Sequence, residues 1–261
     1  AWEEMEEDSN NHTMFGTNKI GSRWLNNVVA KYSSPVQVPG TNFKNLFGDS
    51  GSENVYALKN DGTMWGAGRN TWGQLGQNTQ SAGGFSSPIQ ILGTNWNLGS
   101  TNGFTVVASK TDGTLWAWGY GGQGNLGNND NANAGNSYAG DASSPIQIPG
   151  TTWKEPGNGI GADVQAFKTD GTLWVWGTNE FGQLGINLSG NNERSSPTQI
   201  PGTTWNIGAS SNARNQAAIK TDGTLWTWGT NENGQLGQNT PSGTLDGRSS
   251  PAQVGTDTTW A

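Results

Sequence analysis

Cysteine is absent from this chain, and histidine occurs once, as His12. The first absence removes disulfides and thiol chemistry and leaves the redox compartment open. The second removes zinc clusters built on histidine and any Ser-His-Asp arrangement outside the first residues. Charged residues make up only 13% of the chain and hydrophobic ones only 31%. No apolar run approaches the roughly 18 residues of a membrane span, so membrane insertion is not expected. A net charge of −7 lacks the basic face that duplex nucleic acid requires, and nucleic acid is therefore not an expected partner. No secretory signal is visible, and the chain begins at Ala1.

What is abundant is glycine, 41 residues, and tryptophan, 14 residues. A glycine-rich, apolar-poor composition also describes disordered chains, but tryptophans on a strict repeat argue for order. The repeat is KTDGTLWTWGTNENGQLG from Lys220, seen also from Lys59, Lys110 and Lys168. Thr221-Asp222-Gly223 separates two strand-like runs, and Asp-Gly in that place predicts a hairpin, because glycine supplies the positive φ. In the second strand Leu225 and Thr227 face one way, Trp226 and Trp228 the other. Both faces carry bulk, so both should be covered, as in a sheet stacked between two others. Leu236 of GQLG is a plausible anchor into the core.

A second element, SSPVQVPG, SSPIQILG, SSPIQIPG, SSPTQIPG and SSPAQVG, begins at Ser33, Ser86, Ser143, Ser195 and Ser249. A Gly-Thr segment then runs to Phe43, Trp96, Trp153, Trp205 and Trp260. Each period thus offers about four short strands, which predicts an all-β fold, a β-propeller of four-stranded blades. The repeats end near Gly40, Gly93, Gly150, Gly202 and Gly255. Four complete hairpins plus a worn N-terminal copy from Thr13 give five blades, the fifth closed by N- and C-terminal strands, which would remove exposed edges. One propeller domain is expected over 13–261, preceded by an acidic arm over 1–12. That arm holds Glu3, Glu4, Glu6, Glu7 and Asp8; Trp2, Glu3, Glu4 and Met5 are a candidate tether to a partner, against a solvated lead-in.

Chemistry is sparse. Asp61, Asp112, Asp170 and Asp222 recur once per blade, where turn formation accounts for them better than paired-carboxylate catalysis. The lysines two residues earlier make either a basic ring or a local Lys/Asp pair. GQLG lacks the GKS/GKT ending of a phosphate loop. Asp130 and Asp141 flank an Asn-rich loop without calcium-site spacing. No enzyme, cofactor or metal is expected. The copies differ before the first Gly of GQLG: Ile20, Trp72, Gln123, Phe181 and Asn233, preceded by Lys19, Thr71, Gly122, Glu180 and Glu232. Side chains that change on a rigid loop are how binding surfaces are made, and neutral drift is the alternative. With Tyr120, the first set is the candidate partner-binding rim, its aromatic members the anchors.

The pattern AxKTDGTLWxWGxNxxGQLG followed by SSPxQIPG resembles the regulator of chromosome condensation repeat family of β-propellers, over nearly the whole chain from Thr13. The family's eukaryotic members usually have seven blades. The histidine common before the hairpin's first strand is missing here, Phe104-Thr105-Val106 and Asn215-Gln216-Ala217 standing in its place. The acidic balance speaks against the chromatin and small-GTPase roles of the namesake. The DGTLWxWG style is similar to copies in bacterial secreted proteins, one type of which inhibits β-lactamases, and in virion proteins of bacterial viruses. The resemblance implies a rigid, non-catalytic surface for protein partners. The expected setting is extracellular or the virion surface, with display on a virus particle, fibre or cell surface and a neighbouring structural subunit or surface receptor as partner. A lectin-like propeller with one glycan site per blade, and a soluble inhibitor or scaffold, are the alternatives.

Overall fold

A computed structural model describes residues 38, 40–49, 53–101, 104–130, 140–157, 163–190, 192–211, 214–239 and 247–260. They form four sheets, each of four antiparallel strands in chain order. The first holds β1 (Phe43–Asp49), β2 (Asn54–Lys59), β3 (Met64–Asn70) and β4 (Ser81–Gln90). The second holds β5 (Trp96–Thr101), β6 (Thr105–Lys110), β7 (Leu115–Gly119) and β8 (Ala142–Ile148). The third holds β9 (Trp153–Pro156), β10 (Asp163–Lys168), β11 (Leu173–Gly177) and β12 (Arg194–Ile200). The fourth holds β13 (Trp205–Ser211), β14 (Asn215–Lys220), β15 (Leu225–Gly229) and β16 (Arg248–Gln253).

Each hairpin forms where Asp-Gly predicts it. Gly62, Gly113, Gly171 and Gly223 have φ of 77–79°, a conformation that other residues reach only at a cost. The aspartate before each glycine accepts two hydrogen bonds, from the backbone N–H and the hydroxyl of the threonine two residues on; for Asp170 and Thr172 they measure 3.0 and 2.7 Å. The threonine oxygen then accepts the indole N–H of the first tryptophan of the next strand, at 2.8 Å for Trp174. This Asp-Thr-Trp chain recurs at Asp61, Asp112 and Asp222.

The sheets stack through apolar faces. Leu58, Met64, Leu75 and Ile91 of the first meet Trp96, Val106, Ala108 and Trp118 of the second. Equivalent clusters join the second to the third and the third to the fourth, around Trp176 and Trp228. Leu75, Leu126, Leu184 and Leu236, the leucines of the GQLG copies, are buried as expected. Each buried second tryptophan also donates its indole N–H across the junction, to a carbonyl of the preceding sheet's loop: Trp118 to Gln74, Trp176 to Asn125 and Trp228 to Gln183, each at 2.8 Å. A buried indole N–H usually finds such a partner, and for these three the partner is the neighbouring sheet.

Trp260 donates its backbone N–H to Gly223 O, as Trp96, Trp153 and Trp205 do to Gly62, Gly113 and Gly171. It is thus seated as the first residue of a further sheet, yet is 44% exposed where those three are at most 3%. The N-terminal part of the expected fifth blade, and the acidic arm over 1–12, lie outside the described residues.

Candidate binding rim

The two ends of the sheets use their side chains differently. At the turn end each lysine lies over two aromatic rings. The ammonium of Lys168 is 4.7 Å from Trp153 and 4.3 Å from Trp174. That of Lys110 lies over Trp96 and Trp116, that of Lys220 over Trp205 and Trp226, and that of Lys59 over Phe43 and Trp65. Pairing of β9 with β10 sets Lys168 directly opposite Trp153, which brings the cation onto the ring. The expected Lys/Asp pair is therefore a minor contact: hydrogen bonds from Thr63, Thr114, Thr172 and Thr224, more than the nearby lysines, hold the four aspartates below the usual carboxylate range.

At the opposite end, the loop after the third strand has a backbone fixed by recurring residues. Asn70, Asn179 and Asn231 accept from the N–H of Leu75, Leu184 and Leu236 at 3.0–3.1 Å. Gln74, Gln183 and Gln235 accept from the N–H of Trp72, Phe181 and Asn233 at 2.8–2.9 Å. In the second copy Gly121 replaces the asparagine, and its N–H is met instead by Asp141 at 3.0 Å. These anchors touch the candidate residues only through the main chain, so the side chains at 72, 181 and 233 are free to differ.

The structure brings the candidates to one rim and gives each junction its own content. Between the first and second sheets Trp72 packs edge-on against Tyr120, ring centres 5.1 Å apart, and against Phe104 at 6.3 Å, which carries the Arg69 guanidinium at 5.8 Å. Burial and then the charges of Asp141 and Glu193 push the Tyr120 phenol up. Between the second and third, Gln123 accepts from the Thr178 hydroxyl at 3.0 Å. Between the third and fourth, Phe181 carries the Arg214 guanidinium at 4.0 Å and borders an open cleft of about 280 Å³ with Glu180, Thr230, Asn231 and Glu232. Asn233 is exposed. Ile20 and the tether residues Trp2, Glu3, Glu4 and Met5 lie outside the described residues. Sequence reasoning missed Arg69, Phe104 and Arg214 as ring partners; their signal was that Phe104 and Arg214 hold one repeat position, just before the hairpin.

A further polar group lies inside. Gln216 donates to Asp163, whose carboxyl burial pushes up to about 8, and Gln165 donates to Gln216 at 2.9 Å. Among the described residues no group of three or more His, Asp or Glu is placed to hold a metal ion.

Four-stranded antiparallel sheets stacked face to face around repeated tryptophans define a β-propeller. The model of the regulator of chromosome condensation (RCC1) repeat matches residues 170–209 and 222–259, so these two stretches carry that repeat. It is 27% identical over 204 residues to the ultraviolet-B receptor UVR8 of Arabidopsis thaliana, covering 72% of this chain and 42% of the receptor. Among solved structures it superposes on human WBSCR16 with TM-score 0.71 and 21% identity, over 92% of this chain and 61% of that one. It superposes on yeast RCC1 (Prp20) bound to Kap60 with TM-score 0.72 and 17% identity, over 87% and 52%. The chain thus spans less than two thirds of each. These matches correct the expected location: the similar proteins are cellular, nuclear or mitochondrial, not extracellular or carried on a virion. Nothing in these similarities supports display on a particle or fibre.

Proposed function

We propose that this protein is a non-enzymatic scaffold that binds other proteins through the rim carrying Trp72, Tyr120, Gln123, Phe181 and Asn233. The observation that carries the reading is the separation of labour in the loops. In three copies recurring Asn, Gln and Leu fix the backbone, while the outward positions hold an indole, a phenyl ring and an amide. Rigid presentation lowers the entropy that ordering a contact surface would cost on binding. The recurring aspartates are engaged in turn bonds, which supports a role in folding rather than in covalent chemistry. The yeast RCC1 structures carry the same fold; one is bound to Kap60, and the other is described with its binding properties to Gsp1p and histones.

The test is site-specific photocrosslinking in the native source. A photoreactive residue at 72, 181 or 233 is expected to capture a defined partner, and the same residue at 112 or 222, on the turn end, is not. Crosslinks from the turn end alone would move the binding surface to the other rim. A glycan that bound in place of a protein would replace this reading with the lectin one.

A further inference from the structure

The first and third junctions of the rim are built to one plan. Trp72 and Phe181 have the same backbone anchor, and Gly73 and Gly182 both pack against the first serine of SSP in the next sheet, Ser143 and Ser249. Tyr120 and Thr230 donate their N–H to Phe104 O and Arg214 O at 3.0 and 3.1 Å. Residues 104 and 214 are thus equivalent, and so are 120 and 230. In the first junction the ring of Trp72 has a planar neighbour from each, Phe104 and Tyr120. In the third, Phe181 has its planar neighbour from position 214, the Arg214 guanidinium, but position 230 offers only a threonine. The cleft of about 280 Å³ opens there.

We propose that this cleft receives an arginine side chain of a partner protein, stacked beside Phe181 where the first junction has Tyr120 and paired with Glu180 and Glu232. The first junction shows what such a space holds when filled from within: a flat group against the aromatic ring. Glu180 and Glu232 stand on the two loops that wall the third cleft, and both are exposed. Among the described residues neither is paired with a cation. A guanidinium satisfies both the ring and the two carboxylates, and its fork suits oxygen acceptors on either side. A lysine ammonium would meet the charges without the stacking, and a tyrosine the ring without the charges. The overall charge of −7 favours approach of a basic segment. The inference rests on the rim being the binding surface and names the chemistry of one site on it.

The test titrates a blocked Gly-Arg-Gly peptide into the protein, followed by amide chemical shifts. Saturable shifts are expected at Phe181, Thr230 and Glu232, with the isosteric citrulline peptide at least about tenfold weaker, because it removes the charge-assisted bonds. Thr230→Tyr, which rebuilds the first junction in the third, should abolish the shifts. Glu180→Gln with Glu232→Gln, both at exposed positions and harmless to folding, should weaken them at least about tenfold. No saturable shift with the arginine peptide, equal binding of the citrulline peptide, or undiminished binding by the double glutamine variant would each overturn the proposal. Rim crosslinks that persist while the cleft stays silent would sink this inference and leave the protein-binding rim standing.

Discussion

The turn end and the loop end of each blade hold their side chains to opposite rules. At the turn end, Asp, Thr, Lys and two aromatic rings satisfy one another, four times over, and nothing is left to vary without loss. At the loop end the recurring residues bond the main chain, and the outermost side chain is not needed to hold the loop's backbone. The comparison teaches that repetition marks where side chains are consumed by folding. Variation marks where folding has been delegated to the backbone.

The largest effect expected lies between the two ends, at the indoles that clamp one blade to the next. Trp176→Ala should lose roughly 3–5 kcal/mol in denaturant unfolding, as for other buried aromatic truncations. Trp176→Phe should lose about 1–2 kcal/mol, chiefly through the unanswered Asn125 carbonyl. If the two variants were equally destabilised, the hydrogen bond rather than the packing would be the clamp.

Asp163 offers a second probe through pH. Burial pushes its folded carboxyl up to about 8 from an ordinary value of about 3.9. The folded state therefore holds this proton more tightly than the unfolded one, and the contribution is complete below the ordinary carboxylate range. It is lost progressively as pH rises through about 8. Asp163→Asn should remove that slope and be more stable than the parent at pH above about 8 by thermal melting. The turn aspartates run the other way. Their folded values are lowered, so their contribution is present at neutral pH and fades as pH falls below the ordinary carboxylate range. A melting profile in which Asp163→Asn leaves the slope between these limits unchanged would contradict the buried-acid assignment.

Thr172→Val sharpens the comparison at the turn end, where a loss of about 1–2 kcal/mol is expected from the two broken bonds. Asn233→Ala, at the loop end, should stay within about 0.5 kcal/mol, since its side chain is exposed and its backbone is held by Gln235. Equal losses at Thr172 and Asn233 would erase the distinction between the ends.

The hairpins, the four strands per period and the anchoring leucines were legible because their signals are local: Asp-Gly between alternating runs, and a period repeated four times. The lysine environment was not, because the second ring over Lys168 belongs to β9, more than ten residues away. Asp163 was equally hidden. It stands where Asn54, Thr105 and Asn215 stand in the other hairpins, and only stacking against the next sheet strips its water. At the rim the positions were legible, but what flanks them was not. Tyr120 and Arg214 reach Trp72 and Phe181 from the following blade, and no periodicity within one repeat reports a neighbour's side chain.

The matched repeat over 170–209 begins inside one hairpin and ends inside the next sheet, carrying β11, β12 and most of β13. The unit that is copied in the sequence is thus out of phase with the unit that folds. A single copy cannot close a blade by itself, but it spans a complete seam between two. Gain or loss of a copy therefore adds or removes a seam together with the rim cleft above it, so growth of such a ring supplies new recognition sites without redesign of its core.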